Sequence, residues 1–518
     1  MSTRAIQNLD VDRGTAGRRG SSDKLSWLFL FMIIWVVAST FNYGFGISEL
    51  NALASALTCP SRGAVSASFK LPVCFEISSS SFGIVTALFT FGGLLASLLL
   101  SPISARLRWT RRQTLGVAAT INCLGTASQA FAPASWLLGL GRGLMGMSAG
   151  IAIAVVPAYL NDLAPPHLQG SIGVLNQLSI VIGILIAQAL GVSPLGAPAS
   201  SKHITFAGWR WVPIVSFAIS LLQLLCFRLS IDSPREAGPL REKTLRARLA
   251  GRNAGSGLDE ESEEQEGLLD SEVPSRSDTE SARAEKPMEL KELIQTVTSR
   301  DGAAGAKSLR KGVALIVLTQ LSQQLSGVNA VLYYSSSILS DALGAGSDGH
   351  GSSDSEATAK LIALGITIIN ALMTFPPLYL VSESRLGRKS LLLLSAGVMC
   401  ASNAVLAVGI VNNISILSAL SIVTVVAGFS LGLGPVPFLI LPELVEPRAV
   451  TSASALGVSL NWTANLLIAS FFLPLRNLLA SVDGGSGGSV FAIFAVINAA
   501  SVLGIQRWYA YEWIDQHD

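Results

Sequence analysis

Apolar residues in this chain gather into runs of about twenty, separated by short polar turns. Twelve runs recur, near 26–48, 82–104, 113–132, 135–160, 171–192, 211–230, 312–340, 360–381, 390–411, 414–441, 452–474 and 489–507. At about 1.5 Å per residue, a helix of that length crosses the roughly 30 Å hydrocarbon core of a bilayer. Backbone polar groups in hydrocarbon must be satisfied within their own segment, so such runs predict spanning helices. A hydrophilic block from Asp232 to Lys311 splits them six and six. The pattern predicts an all-α membrane protein of 12 transmembrane helices in two six-helix halves, over 26–231 and 312–507. A disordered arm (1–25), a linker (232–311) with an acidic disordered stretch and short helices, one of them amphipathic over Met288 to Val297, and a short tail (508–518) complete it.

Charge adds orientation. The chain is 50% hydrophobic and 14% charged, against about a quarter charged in soluble proteins. The net charge of +2 is no nucleic-acid footprint, because the basic residues sit in short turns. Arg106, Arg108, Arg111 and Arg112 follow the second run, and Arg385, Arg388 and Lys389 follow the eighth. An even helix count puts both turns on the side of the termini, and the positive-inside rule makes that side cytosolic. The first run is too long for a signal peptide and lacks a small-residue cleavage site, so it reads as the first spanning helix.

Five cysteines show no metal-type spacing, and no paired His or nucleophile motif stands out, so neither metal, cofactor nor enzyme activity is expected. Cys59 and Cys74 flank the first non-cytosolic loop; on an oxidising side they form a disulfide or stay as two thiols. Asn413-Ile-Ser415 is a glycosylation sequon in a short loop.

Polar side chains deep in apolar runs are costly unless they face protein or water. The densest set lies in the seventh run: Gln320, Gln323, Gln324 and Asn329. On a regular helix Asn329 points away from Gln320 and Gln324, so a break near Ser326-Gly327 is expected to bring it round. The fifth run offers Gln177 and Gln188, the eighth Asn370, and the eleventh Asn461 and Asn465 beside Trp462. Amides present both donors and acceptors, which suits a neutral polyhydroxyl ligand, and Trp462 and Phe438 offer aromatic faces to a sugar ring. The alternative is that these amides merely hydrogen-bond helices together. The glycine-rich stretches of the second and fourth runs read as packing.

The seventh run, Gln323-Gln324-Leu-Ser-Gly327-Val-Asn329-Ala-Val-Leu-Tyr333-Tyr334, resembles the signature of the sugar porters in the major facilitator superfamily, closest to the facilitative glucose transporters. Gly141-Arg142-Gly143, Tyr159-Leu-Asn-Asp162-Leu-Ala-Pro165, Asp232-Ser-Pro234-Arg235, Gly434-Pro-Val-Pro437-Phe438 and Asn461-Trp462-Thr-Ala-Asn465 resemble further motifs of that family, in order. The resemblance implies the major facilitator fold and hexose contacts at Gln177, Gln323, Gln324, Asn329 and Asn370. It also implies a cytosolic latch of charges between the halves, with candidates Arg142, Asp162, Arg235, Glu383, Arg385, Arg388, Glu443 and Arg448. Phe438 stands where the family has tryptophan, Ser430 where it has glutamate, and Gln169 where it has arginine.

Proton-coupled relatives carry an aspartate midway along the first helix. Gly46 occupies that place here, so facilitated diffusion is expected. Glu49, one turn further, is the candidate to meet Arg142 or to take a proton, and a proton there would make the protein a symporter; the alternative is that Glu49 faces a wet vestibule and plays no part. In the linker, Glu264-Gln-Glu-Gly-Leu268-Leu269 fits the acidic dileucine read by sorting adaptors, which points to a vacuolar or endosomal membrane. The pattern Tyr43-Gly-x-x-x-x-Glu49-Leu-Asn51 resembles a fungal vacuolar branch of the family. Rival readings are a transporter of another polyol and a non-transporting nutrient sensor, the latter expected to carry a long cytosolic tail.

Overall fold

A computed structural model describes residues 26–57, 71–77, 79–193, 207–236, 239–249, 288–299, 304–331, 353–382 and 385–509. Its helices are α1 (Trp27–Leu57), α2 (Ser79–Leu107), α3 (Arg111–Ala130), α4 (Ser135–Leu163), α5 (Gln169–Val192), α6 (Trp211–Leu225), α7 (Pro239–Leu249) and α8 (Leu290–Thr298). There follow α9 (Ala304–Leu325), α10 (Ser353–Met373), α11 (Phe375–Leu380), α12 (Gly387–Val411), α13 (Ser415–Leu431), α14 (Val436–Ile440), α15 (Val450–Ala480) and α16 (Ser489–Trp508). Ten spans among the described residues are long and apolar enough to cross a membrane. The third and seventh expected spans fall outside that set for a visible reason. α3 opens on Arg111-Arg112 and carries Asn122 and Gln129, and α9 carries Lys307, Arg310, Lys311 and three glutamines.

Contacts divide the chain into two compact units, one of residues 1–33 and 234–282 and one of 34–233 and 283–518. In the smaller unit, a 3₁₀ turn (Pro234–Glu236) precedes α7, where Glu242 and Arg246 pair at 2.8 Å, and the Ser26 hydroxyl donates to the Leu249 carbonyl at 2.7 Å.

The larger unit takes in helices of both expected halves. In the first half, α2 and α4 approach backbone to backbone: a Cβ added to Gly146 would lie 1.9 Å from the Phe89 carbonyl oxygen. This is the packing role expected of those glycines. α3 starts at a capping box, Thr110 with Gln113. Amide and hydroxyl groups then tie α1, α3 and α6 together. The Asn122 amide donates to Ser216 and Ser220 at 3.0 and 2.8 Å, Asn42 donates to Ser220 at 2.9 Å, and Ser216 donates back to Asn42 at 2.8 Å.

Among the described residues the second half contains interrupted helices, at Gly327, at 432–435 and, between α10 and α11, at Thr374. α9 ends at Leu325, Gly327 takes φ +89°, and helical backbone resumes over 328–331. The positive φ favours glycine, and a Cβ there would also meet the Phe494 ring at 2.8 Å. The second interruption is the turn at 432–435 between α13 and α14, where the Ser395 hydroxyl accepts from the Leu433 N–H at 2.9 Å.

The two halves meet through small polar contacts near the basic turns. Ser97 pairs with Ser459 at 2.9 Å, Ser101 with Ser452 at 2.8 Å, and the Ser171 hydroxyl donates to the Leu378 carbonyl at 2.6 Å. The expected amphipathic linker helix is α8; just before it, the Met288 N–H donates to the Arg448 carbonyl at 2.9 Å.

Candidate functional site

The break in α9 assembles the amides. On an unbroken helix residues five apart lie about 140° from facing one another. Here the Asn329 amide donates to Gln324 Oε1 at 2.5 Å and to Asn465 Oδ1 at 3.3 Å. Gln324 donates to Asn461 Oδ1 at 2.9 Å, and Asn461 Nδ2 donates to Gln323 Oε1 at 2.7 Å and Gln320 Oε1 at 2.9 Å. Gln323 donates to the carbonyls of Leu433 and Gly434, both at 2.9 Å, which the second interruption frees. The result is a mesh joining α9, α15 and the turn before α14. Gln320, Gln323, Gln324 and Asn461 are buried, while Asn329 and Asn465 keep part of their surface accessible.

Gln177 brings the first half to the same place: a Cβ on Gly434 would sit 3.4 Å from its Nε2. Asn370 is buried and accepts from the Ser430 hydroxyl at 2.7 Å. Phe438 is buried in α14, next to Pro437, whose carbonyl accepts from Gln320 at 3.4 Å. Gln188, in contrast, accepts from Ser48 at 2.6 Å and joins α5 to α1.

Trp462 stands between the halves. Its ring meets Tyr43 edge-on at 5.5 Å and Phe89 at 5.9 Å between centroids, and a Cβ on Gly93 would strike it at 2.6 Å. Its indole N–H is buried and has no hydrogen-bond partner. A buried donor in that condition costs about 1–3 kcal/mol, which a ligand hydroxyl could offset.

Arg142 requires a correction. It lies twenty residues before Asp162 on α4, about 30 Å along the helix, so it is not part of the latch region. Instead its guanidinium donates to the Gly46 carbonyl at 2.8 Å, lies 3.6 Å from Glu49 and stacks 4.6 Å over the Phe89 ring. Glu49 and Arg142 are 2% and 1% exposed, a charge pair sealed from solvent. Gly46 thus faces the arginine with its carbonyl, and Glu49 supplies the carboxylate one turn on.

Of the other latch candidates, Asp162 pairs with Arg111 and accepts from Ser233. Arg388 pairs with Glu443 at 2.8 Å, and Arg448 with Glu446 at 2.8 Å on the surface. Each pair joins residues of one half. Arg385 stacks 4.5 Å over Tyr379, and Arg235 is exposed in the smaller unit. Cys74 is disulfide-bonded; Cys59, Glu383, Glu264, Leu268 and Leu269 lie outside the described residues. Asn413 is exposed in the turn between α12 and α13.

Sequence reasoning gave no place in these networks to five residues: Arg111, which pairs with Asp162, Tyr43 and Phe89, whose rings meet Trp462, and Asn403 and Asn498, which both donate to the Ser326 carbonyl. The last two carried a usable signal, an asparagine alone in an apolar run.

Over residues 31–506 the chain matches the family model described as Sugar (and other) transporter. The chain belongs to that family. Among sugar-transporter relatives, it is 32% identical over 427 residues to the human facilitated glucose transporter member 4 of solute carrier family 2, covering 79% of this chain and 73% of that one. A probable metabolite transport protein of Saccharomyces cerevisiae is 27% identical and is covered more fully, 93% of this chain and 92% of the relative. Among solved structures, the proton:xylose symporter XylE bound to 6-bromo-6-deoxy-D-glucose superposes with a TM-score of 0.68 at 20% identity, covering 92% and 95%. The fucose:proton symporter FucP of E. coli gives 0.59 at 12% identity, covering 93% and 99%. These likenesses show an all-α, multi-spanning major facilitator fold.

Proposed function

We propose that this protein carries a neutral monosaccharide across a membrane by alternating access of two six-helix halves, and that a proton moves with it. The sugar reading rests on the amide mesh. Gln323, Gln324, Asn329 and Asn461 converge with Gln177 from the other half, and Trp462 adds an unspent donor. An amide carries two N–H groups and an acceptor oxygen, so the mesh can exchange some of its internal hydrogen bonds for bonds to sugar hydroxyls. Membership in the sugar transporter family and the human glucose-transporter relative support the substrate class. Ligand affinity must be comparable in the two states for the cycle to turn over.

The proton reading rests on Glu49 and Arg142. Protonating one member of a buried ion pair leaves the other charge uncompensated, which is expensive in a dry site. Proton occupancy is therefore tied to whether the pair is sealed. The Phe89 ring touches both Arg142 and Trp462, which gives the pair a mechanical route to the sugar site. Facilitated diffusion is the second reading, supported by Gly46 and by the glucose-transporter relative.

Uptake of radiolabelled hexoses into proteoliposomes, with and without an inward proton gradient, separates the two. Gradient-driven accumulation that Glu49→Gln abolishes, while sugar exchange at equilibrium survives, is the expected result. Accumulation that ignores both gradient and substitution returns the protein to facilitated diffusion.

Cytosolic termini, a charge latch that closes between the halves, and vacuolar or endosomal sorting through Glu264, Leu268 and Leu269 belong to the same proposal. Imaging of a Leu268/Leu269→Ala variant tests the sorting: a protein that stays where the wild type stays dismisses the signal.

A further inference from the structure

Asn403 on α12 and Asn498 on α16 are both 0% exposed. Each aims its amide nitrogen at one atom, the carbonyl oxygen of Ser326, at 3.2 and 3.0 Å. That carbonyl sits where α9 stops, and the last carbonyls of a helix have no donor of their own. Each asparagine also donates to the carbonyl one turn before it, Met399 and Phe494, both at 2.8 Å. Their own Oδ1 atoms are buried with no hydrogen-bond partner. A leucine would fill either place without leaving an acceptor unsatisfied, a condition that costs about 1–3 kcal/mol. Simple packing does not account for two asparagines that both bear this cost and both converge on one freed carbonyl.

The break they serve has a measurable effect on the site. Only because the chain turns at Gly327 does Asn329 come within 2.5 Å of Gln324. Phe494, one turn before Asn498, closes over Gly327 from the same helix.

We propose that Asn403 and Asn498 are positioning residues: together they clamp the Ser326–Gly327 break and thereby hold Asn329 in place for substrate. The clamp ties the interrupted helix to α12 and α16, so the tilt of the segment beyond Gly327 is set by helices that never touch the sugar. The inference rests on the mesh being the sugar site.

The test measures zero-trans uptake of the radiolabelled hexose that the wild type takes up best, in proteoliposomes of Asn403→Leu, Asn498→Leu and the double variant. The same set is repeated on an Asn329→Ala background. Loss of the clamp should raise KM about tenfold in the double variant, one decade per 1.4 kcal/mol, with maximal rate changed by less than about twofold. On the Asn329→Ala background the clamp substitutions should leave KM where Asn329→Ala alone puts it. An unchanged KM in the double variant overturns the proposal, and so does a KM rise that persists in full on the Asn329→Ala background, since that marks general loosening. If the double variant does not reach the membrane, Asn498→Ser is read by the same criterion, its shorter hydroxyl falling short of Ser326. Gln323→Ala serves as the control. If it abolishes uptake while the clamp variants behave as wild type, only the clamp is lost; if it changes nothing, the sugar site itself is misplaced.

Discussion

The two halves of this carrier bury similar polar side chains to different ends. In the first half, Asn42, Asn122, Ser216 and Ser220 close on one another between unbroken helices. In the second, Gln320, Gln323, Gln324 and Asn461 are bound up with two helix interruptions, and the network ends at Asn329 and Asn465, which remain partly accessible. The first arrangement is what membrane helices use to adhere. The second frees backbone carbonyls and aims side chains, a layout tolerated in a membrane where it lines a cavity. Amides in an apolar run are ambiguous on their own; the neighbouring breaks and the partly accessible Asn329 and Asn465 are what support the site proposal.

The largest effect that could break this contrast is expected at Gln323. Its alanine variant strips donors from the Leu433 and Gly434 carbonyls and an acceptor from Asn461. Transport efficiency should fall about a hundredfold in initial-rate uptake, at about 1 kcal/mol, or about fivefold, for each of the three hydrogen bonds. A smaller and different loss is expected at Asn122. Replacing it with leucine removes two donors from Ser216 and Ser220, and should cost about 1–3 kcal/mol of stability, read by thermal unfolding in detergent, with KM unchanged. A shifted KM there would dissolve the distinction between the halves.

The smallest effect lies outside both networks, in the turn before α16. Partial burial pushes the Asp483 carboxyl up, but the backbone N–H groups of Ser489 and Gly487 and the hydroxyls of Ser489 and Ser486 outweigh it and hold it at about 2. A folded value below the unfolded one means the stabilisation is complete above the ordinary carboxylate range and is lost as pH falls through about 2. Asp483→Ala should lower the melting temperature slightly at neutral pH and leave uptake untouched. Near pH 2 the melting difference between variant and wild type should vanish.

Much of this was legible in the chain. Run length foretold the spanning helices, and Gly327 among amides foretold the break, because only glycine takes that backbone turn cheaply. What escaped depends on three-dimensional neighbours. Arg142 was open in the sequence to two assignments, the latch at the basic turns and Glu49; helix length decides for Glu49, once the helix is seen to be continuous from Ser135 to Leu163. Tyr43 and Phe89 belong to runs far from Trp462 in the chain, and only the fold brings the three rings together. Asn403 and Asn498 belong to separate runs and share a target only in the folded chain. The start of α9 at Ala304, before the apolar run begins, was hidden by Lys307, Arg310 and Lys311.

The serine pairs that join α2 to α15 have one more implication. A seam fastened by neutral hydroxyls, each able to donate or accept, carries no charge for dissolved ions to shield and no proton to lose in the physiological range. Its strength should be the same in brine as in dilute buffer, and in an acidic lumen as at a neutral surface. This seam therefore does not register the medium, and on the proposed proton coupling a response to pH enters elsewhere, at the buried Glu49–Arg142 pair.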